Sequence, residues 1–243
     1  MKSRESITIK SDEVHIWSTC LLDSEKYTNY FSAILSEDES ERANNYRFCR
    51  DKENFIIARG ILRCLLGAYL GKTPQSLEII YGIWGKPCLT NKKVVHFNLS
   101  HSGNYALYAV SHSYEVGIDL EYIDKKLDLE GIALNAFSPD ELNAWKKARK
   151  FESKESAFFK LWVCKEAFLK ASGKGWLGNE ETMIFRTENV FKKKLNNNIL
   201  ENMEITYPHY IECIPGYASA LFVAGPPLQL IERKIIPANF IYF

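Results

Sequence analysis

Between Phe55 and Tyr69 the apolar side chains fall at Phe55, Ala58, Ile61, Leu62, Leu65, Leu66 and Tyr69, a spacing that only a helix places on one face. The run predicts an amphipathic helix of about five turns, stopped at Gly71. Such a stripe has to be buried against a second layer, and the flanking sequence says which kind. Before it stands "VHIWSTCLL", which alternates as a strand does; after it come a short strand, "SLEIIYG", and then "VVHFNLS", "YALYAVS" and "VGIDLEY", three β-rich runs parted by turn residues that read as antiparallel sheet. A second helical stretch, "SKESAFFKLWVCKEAFLKASGKG", follows and ends at Gly173 and Gly175.

Shorter signals complete the outline. Ser36 is placed to cap an acid-rich first turn, and "FSPDELNAWKKA" opens with Ser-Pro-Asp-Glu, a helix start. The tail returns to strand-like runs, "TMIFRT", "NMEITYPHYIE", "YASALFVAG" and "LQLIERKII", with "KKKLNNN" as a polar loop. Strands and long helices therefore occur in two rounds without strict βαβ alternation. The pattern predicts an α+β chain of two halves, 1–113 and 114–243, with no repeat visible between them.

Composition narrows the function classes. Thirty-one basic residues against thirty acidic ones leave a net charge of +1, so no bulk field draws in nucleic acid or an anionic membrane, and an anionic ligand has to be held by local groups. The six cysteines are scattered, with no CxxC pair, which suits reduced thiols in a cytoplasm. The charged N-terminus lacks an apolar signal core, and "GYASALFVAGPPLQLI" is too short and too broken to span a bilayer. No export and no membrane span are expected.

Four stretches carry candidate chemistry. In "VGIDLEYID", strand alternation puts Val116, Ile118, Leu120 and Tyr122 towards a core and Asp119 with Glu121 on the other face. Two such carboxylates repel unless a cation lies between them, and oxygen-only donors suit Mg²⁺, although D-x-E alone is most often a solvated acidic edge. In "LWVCKEAFLK", Trp162, Glu166 and Lys170 stack four apart along one helix face, with Lys165 pointing off it; taken alone, this is an ordinary surface Glu-Lys pair beside a packed Trp. "FNLSHSGNY" reads as a Ser-His-Ser-Gly turn rich in donors for a phosphate, or simply as a hairpin, and no acid stands at a spacing that makes a hydrolytic triad. "YGIWGKP" places Lys86 in a glycine turn, where a lysine is usually only solvated.

Their order along one chain is the specific signal. The Gly-Lys-Pro turn, then "NLSHSG", then "GIDLE", then W-x-x-K-E-A-x-x-K resembles the 4'-phosphopantetheinyl transferase superfamily, in its larger, monomeric Sfp-type group, over residues 36–177. The resemblance implies two similar α+β halves related by a pseudo-twofold axis, with coenzyme A and Mg²⁺ in the cleft between them. It implies transfer of the 4'-phosphopantetheine arm of coenzyme A to a serine of an apo carrier protein (acyl, peptidyl or aryl), releasing adenosine 3',5'-bisphosphate. By motif position Asp119, Glu121 and Glu166 resemble the metal-binding acids and Lys170 the lysine on the pyrophosphate. Arg42, Lys86, Ser100 and His101 resemble the coenzyme A phosphate contacts, and Glu166, or a water it orients, is the base.

The match is not uniform. Around Arg42 the family is often more basic than "SERANNYRF", where Asn44 and Asn45 stand, so Arg47, Arg50 or Lys52 are alternative holders of the 3'-phosphate. Arg59 reads as a structural ion-pair partner, Trp176 and Leu177 as a helix end or a wall for the pantetheine arm, and "WKKARK" as a carrier-steering patch or a solvated face. Two other functions use the same residues: a non-catalytic module that binds coenzyme A or a carrier protein, and a metal-dependent phosphohydrolase of nucleotides.

Overall fold

The computed structural model describes residues 6–22, 25–90, 95–173, 208–226 and 228–240. In chain order they form β1 (Glu13–Cys20), α1 (Thr28–Ser32), α2 (Glu37–Asn44), α3 (Cys49–Leu70), β2 (Ile79–Tyr81), β3 (Pro87–Leu89), β4 (His96–Ser102), β5 (Tyr105–Ser111), β6 (Val116–Tyr122), α4 (Leu129–Ala136), α5 (Pro139–Ala148), α6 (Lys154–Ser172), β7 (His209–Tyr210), β8 (Tyr217–Val223) and β9 (Gln229–Ile235). Helices and several sheets together make the chain α+β. It divides into two compact units, residues 1–81, 87–113 and 229–243 in the first and residues 82–86 and 114–228 in the second. Two segments thus lie across the 113/114 boundary read from sequence. The tail belongs with the first unit because β9 pairs with β1, and the turn 82–86 belongs with the second. "TMIFRT", "KKKLNNN", Trp176, Leu177 and the start of "NMEITYPHYIE" fall outside the described residues.

In the first unit a sheet of order β4-β5-β1-β9 lies with α3. β5 has β4 on one edge and β1 on the other, both antiparallel, while β9 joins β1 in parallel. With both edges of β5 taken, "VGIDLEY" has no place beside it, and β6 instead pairs with β8 in a separate sheet. The sequence expectation of one sheet for all three central runs is corrected on that ground.

Helix α3 is also more deeply set than an amphipathic stripe requires, since every residue from Phe55 to Gly67 is buried. Gly60 lets α1 close in, because a Cβ there would lie 2.5 Å from the ring of Phe31. Arg59 and Arg63 survive this burial by sharing one carboxylate. Arg59 Nε donates to Glu39 Oε1 and Arg63 Nε to Glu39 Oε2, each at 2.5 Å. Glu39 Oε2 also accepts from the backbone N–H of Ser36 at 3.0 Å, in the capping box that starts α2. Burial works to raise the Glu39 pKa, but Arg59 and Arg63 outweigh it and hold the carboxyl below its ordinary value.

The second unit sets α6 against the sheet β6-β8-β7, with α4 and α5 beside it. Its core is aromatic, with Phe137 and Phe158 in ring contact with each other and each with both Trp145 and Trp162. Ser138 and Glu141 form a second capping box at the start of α5. Glu141 Oε2 accepts from Ser138 N–H at 2.7 Å and from the buried Lys165 ammonium at 2.8 Å.

Candidate functional site

Alternation along β6 puts Gly117, Asp119 and Glu121 on one face, and that face carries α6. A Cβ at position 117 would meet the carbonyl oxygen of Ala167 at 1.9 Å and the amide nitrogen of Ala171 at 2.4 Å, so the helix backbone approaches where only glycine fits. Opposite Asp119 and Glu121 on β8 stand the small residues Ala220 and Ala218. The acid face is therefore an inner one, contrary to the reading that set it away from the core. Both faces of β6 are covered, with Val116, Ile118 and Leu120 fully buried and Asp119 only 2% exposed.

A carboxylate at that depth needs a cation. Lys170 supplies it across the helix-strand contact, its Nζ donating to Asp119 Oδ1 at 2.5 Å. The Lys170 side chain keeps 30% of its exposure, so the pair is buried at the acid and partly exposed at the lysine. The same carboxylate is felt by Cys164, whose thiol is pushed well up first by burial and then by the Asp119 charge. Glu121 lies two residues beyond Asp119 on β6, and Glu166 one turn before Lys170 on α6; both are half-buried.

Among the described residues no three His, Cys, Asp or Glu side chains gather closely enough to hold a metal ion. Asp119, Glu121 and Glu166 are hard oxygen donors of the kind Mg²⁺ takes, carried on the packed elements β6 and α6, and the Asp119 carboxylate is held by the Lys170 ammonium. Trp162 and Lys165, from the same helix motif, work differently. Trp162 stacks on Phe158 at 5.8 Å in the aromatic core. Lys165 donates to Ala136 O at 2.6 Å and to Glu141, tying the end of α4 and the start of α5 to α6.

Lys86 also folds with these elements. The turn that carries it closes through Gly82 N–H donating to Lys86 O at 2.9 Å, with Gly85 at φ 79°. Its ammonium donates to Glu115 Oε2 at 2.6 Å, Ala171 O at 2.9 Å and Val116 O at 3.2 Å.

Arg42, Ser100 and His101 belong to the first unit. Ser100 and His101 are not in a turn; they pair with Leu107 and Ala106 inside β4, and the turn is the two-residue loop Gly103–Asn104. Strand alternation then points the two side chains to opposite faces, Ser100 buried and His101 exposed. The start of α3 is fastened to that loop, since Arg50 donates to Asn104 Oδ1 and Asn54 Nδ2 to Gly103 O at 3.2 Å. Among the alternative basic residues, Arg50 thus stands at the end of the strand that bears Ser100 and His101. Lys52 instead donates to Asn44 Oδ1 at 2.8 Å, and Arg47 lies over the ring of Phe48. Arg42 is exposed, with its guanidinium 5.6 Å from the ring of Phe55 and 6.0 Å from that of Tyr81.

Sequence reasoning missed the close approach at Gly117 and the role of Lys165. The first had a signal, a glycine inside an apolar strand, which marks close backbone approach. For the second, the signal was Ser-Pro-Asp-Glu followed 24 residues after its Glu by a lysine on the next long helix.

Comparison with known proteins gives a concordant result. The family model described as 4'-phosphopantetheinyl transferase superfamily matches residues 115–218, and that described as 4'-phosphopantetheinyl transferase, N-terminal, matches residues 22–113. The 4'-phosphopantetheinyl transferase HetI of Nostoc sp. is 42% identical over 185 residues, covering 75% of this chain and 78% of that protein. The 4'-phosphopantetheinyl transferase gsp of Aneurinibacillus migulanus is 30% identical over 215 residues, 85% of each chain. Sfp of Bacillus subtilis, also a 4'-phosphopantetheinyl transferase, is 27% identical over 209 residues, 84% of this chain and 88% of the other. With its motif acid and motif lysine joined across one helix-strand contact, and with relatives that match most of its length, this chain belongs to the 4'-phosphopantetheinyl transferase superfamily.

Proposed function

We propose that this protein transfers the 4'-phosphopantetheine arm of coenzyme A to a serine hydroxyl of an apo carrier protein, whether acyl, peptidyl or aryl, releasing adenosine 3',5'-bisphosphate. The observation that carries the reading is the Lys170–Asp119 pair at 2.5 Å, formed by the two most specific motifs of the chain, buried at the acid and partly exposed at the lysine.

The reaction makes a bond from serine oxygen to the phosphorus that bears pantetheine and breaks that phosphorus's bond to the bridging pyrophosphate oxygen. Negative charge grows on the phosphoryl oxygens and on the leaving bisphosphate, and the serine proton has to leave. Lys170 is the cation for the phosphoryl charge, held in place by Asp119 until a substrate oxygen shares it. Glu166, half-buried one turn earlier on the same helix, is the base that takes the serine proton. Asp119, Glu121 and Glu166 are the residues that would hold Mg²⁺, which when bound supplies further neutralisation of the pyrophosphate. Arg42, Ser100 and His101, with Arg50 beside their strand, are the groups for the nucleotide phosphates.

In this reading the protein works as a cytoplasmic monomer. All six cysteines are unbridged, and no described helix is long and apolar enough to cross a membrane. The test is intact-mass spectrometry of purified apo carrier proteins after incubation with this protein, coenzyme A and Mg²⁺, with and without chelator. A metal-dependent gain of one phosphopantetheine arm is the expected result. Coenzyme A cleaved with no gain on any carrier replaces the reading with a phosphohydrolase, and coenzyme A bound but intact replaces it with a binding module.

A further inference from the structure

The turn 82–86 folds with the second unit although the strands it joins, β2 and β3, fold with the first. Lys86 is the residue that secures it there. A lysine ammonium has three donors, and Lys86 has three acceptors within the second unit, namely Glu115 Oε2, Val116 O and Ala171 O. Its side chain is only 14% exposed. Gly173, at φ 65°, caps α6 in the left-handed conformation, and a Cβ there would lie 3.4 Å from Lys86 Cδ, so the aliphatic stem also packs on the helix end.

Two of the acceptors have a particular meaning. Val116 is the first residue of β6, three before Asp119, and Ala171 directly follows Lys170. The last carbonyls of a helix lack intrahelical partners and carry partial negative charge, so a cation at Ala171 O fixes the end of α6 by both hydrogen bond and charge. One ammonium therefore binds the elements that bear the two members of the Asp119–Lys170 pair. A coenzyme A phosphate at this nitrogen would have to displace a carboxylate or a helix carbonyl.

We propose that Lys86 is a positioning residue for the transfer, one that sets the end of α6 against the start of β6 and so the Lys170–Asp119 geometry, rather than an ammonium ligand of coenzyme A. The proposal rests on the transferase reading above and assigns Lys86 a different role from the one its motif suggests.

The experiment compares Lys86→Met and Glu115→Gln with the unaltered protein in kcat, in KM for coenzyme A, in affinity for adenosine 3',5'-bisphosphate and in backbone hydrogen exchange over residues 116–122 and 167–173. A misplacement of about 1 Å costs on the order of a hundred-fold, so Lys86→Met is expected to lower kcat by roughly ten- to a hundred-fold. Both nucleotide measures should stay within about three-fold, under 1 kcal/mol of binding free energy, while exchange in the two segments quickens. Glu115→Gln keeps the ammonium and its two carbonyls and should show a smaller change of the same kind; it carries the comparison if Lys86→Met does not fold. Nucleotide affinity weakened by about ten-fold or more at unchanged kcat, with exchange unaltered, overturns the proposal and restores Lys86 as a phosphate ligand. If the unaltered protein modifies no carrier, the transferase reading fails by itself, and exchange unchanged by Lys86→Met then overturns the clamp separately.

Discussion

Helices α2 and α5 begin with the same device, and what the chain does after each differs. In both, a capping-box glutamate, Glu39 or Glu141, closes the first turn and also receives a buried cation from the long helix of its unit, 24 residues further on: Arg63 from α3, Lys165 from α6. In the first unit Arg59 joins as a second cation, and both arginine side chains are at most 5% exposed. In the second unit α6 sends a further cation, Lys170, to a strand carboxylate and leaves it 30% exposed. Sealed pairs of this kind orient helices, whereas a pair with one open member offers charge to a ligand. The contrast explains how one chemistry, lysine or arginine on carboxylate, is scaffold in one place and candidate machinery in another.

The contrast breaks first at Glu39. Glu39→Gln leaves two buried arginines without their charge partner and should cost about 3–5 kcal/mol, the range for breaking a buried pair, read as a lower denaturation midpoint. Glu141→Gln, which strands one lysine, should cost less. Next is the open pair: Lys170→Met or Asp119→Asn should lower kcat by about 10²–10³-fold, as loss of one preorganised electrostatic contact does. Gly117→Ala follows. Its methyl would press on the Ala167 carbonyl, so a stability loss of about 1–3 kcal/mol should come with reduced transfer as α6 is pushed from β6, both measured on one preparation.

The smallest effects are those of pH. Glu39 has a folded pKa below its ordinary 4.5, so the stability it contributes is present above pH 4.5 and is lost as pH falls towards the folded value. His15 is pulled below its ordinary 6.5, mainly by burial. It is held by Tyr69 and Glu13, with the Arg233 charge nearby, and Tyr69 Oη accepts from Trp17 Nε1 at 2.8 Å. The unfolded chain protonates this imidazole first, so a separate loss should begin as pH falls through 6.5, before the Glu39 loss. Melting temperatures across that range, repeated on Glu39→Gln, separate the two steps.

Much of this was legible in the sequence because it is periodic or local. The two long helices ended at Gly71 and Gly173 as their patterns required, and both capping boxes sit at Ser36 and Ser138. Arg59 is the structural ion-pair partner that its place in an apolar helix suggested. What failed depends on partners distant in sequence. Alternation told which residues share a face of β6, but only the approach of α6 over Gly117, 50 residues or more away in the chain, decided that the acid face is an inner one. Likewise "SHSG" read either as a donor-rich turn or as a hairpin; the hairpin is what forms, and pairing with β5 draws Ser100 and His101 into the strand ahead of its turn. The repeated device itself was missed because arginine stands in one copy where lysine stands in the other, so no residue-by-residue repeat shows.

The proposed division of labour gives the Lys170–Asp119 pair the reaction and the sealed Glu39 pairs the fold alone. It is tested most directly by counting carrier-protein molecules that gain a phosphopantetheine arm per minute, with Asp119→Asn and Glu39→Gln assayed side by side at a temperature where both are shown to be folded. The expected loss for Asp119→Asn is at least about a hundred-fold, and Glu39→Gln should keep a rate within about three-fold of the unaltered protein, under 1 kcal/mol in barrier. Equal losses in the two, or full transfer by Asp119→Asn, would contradict it.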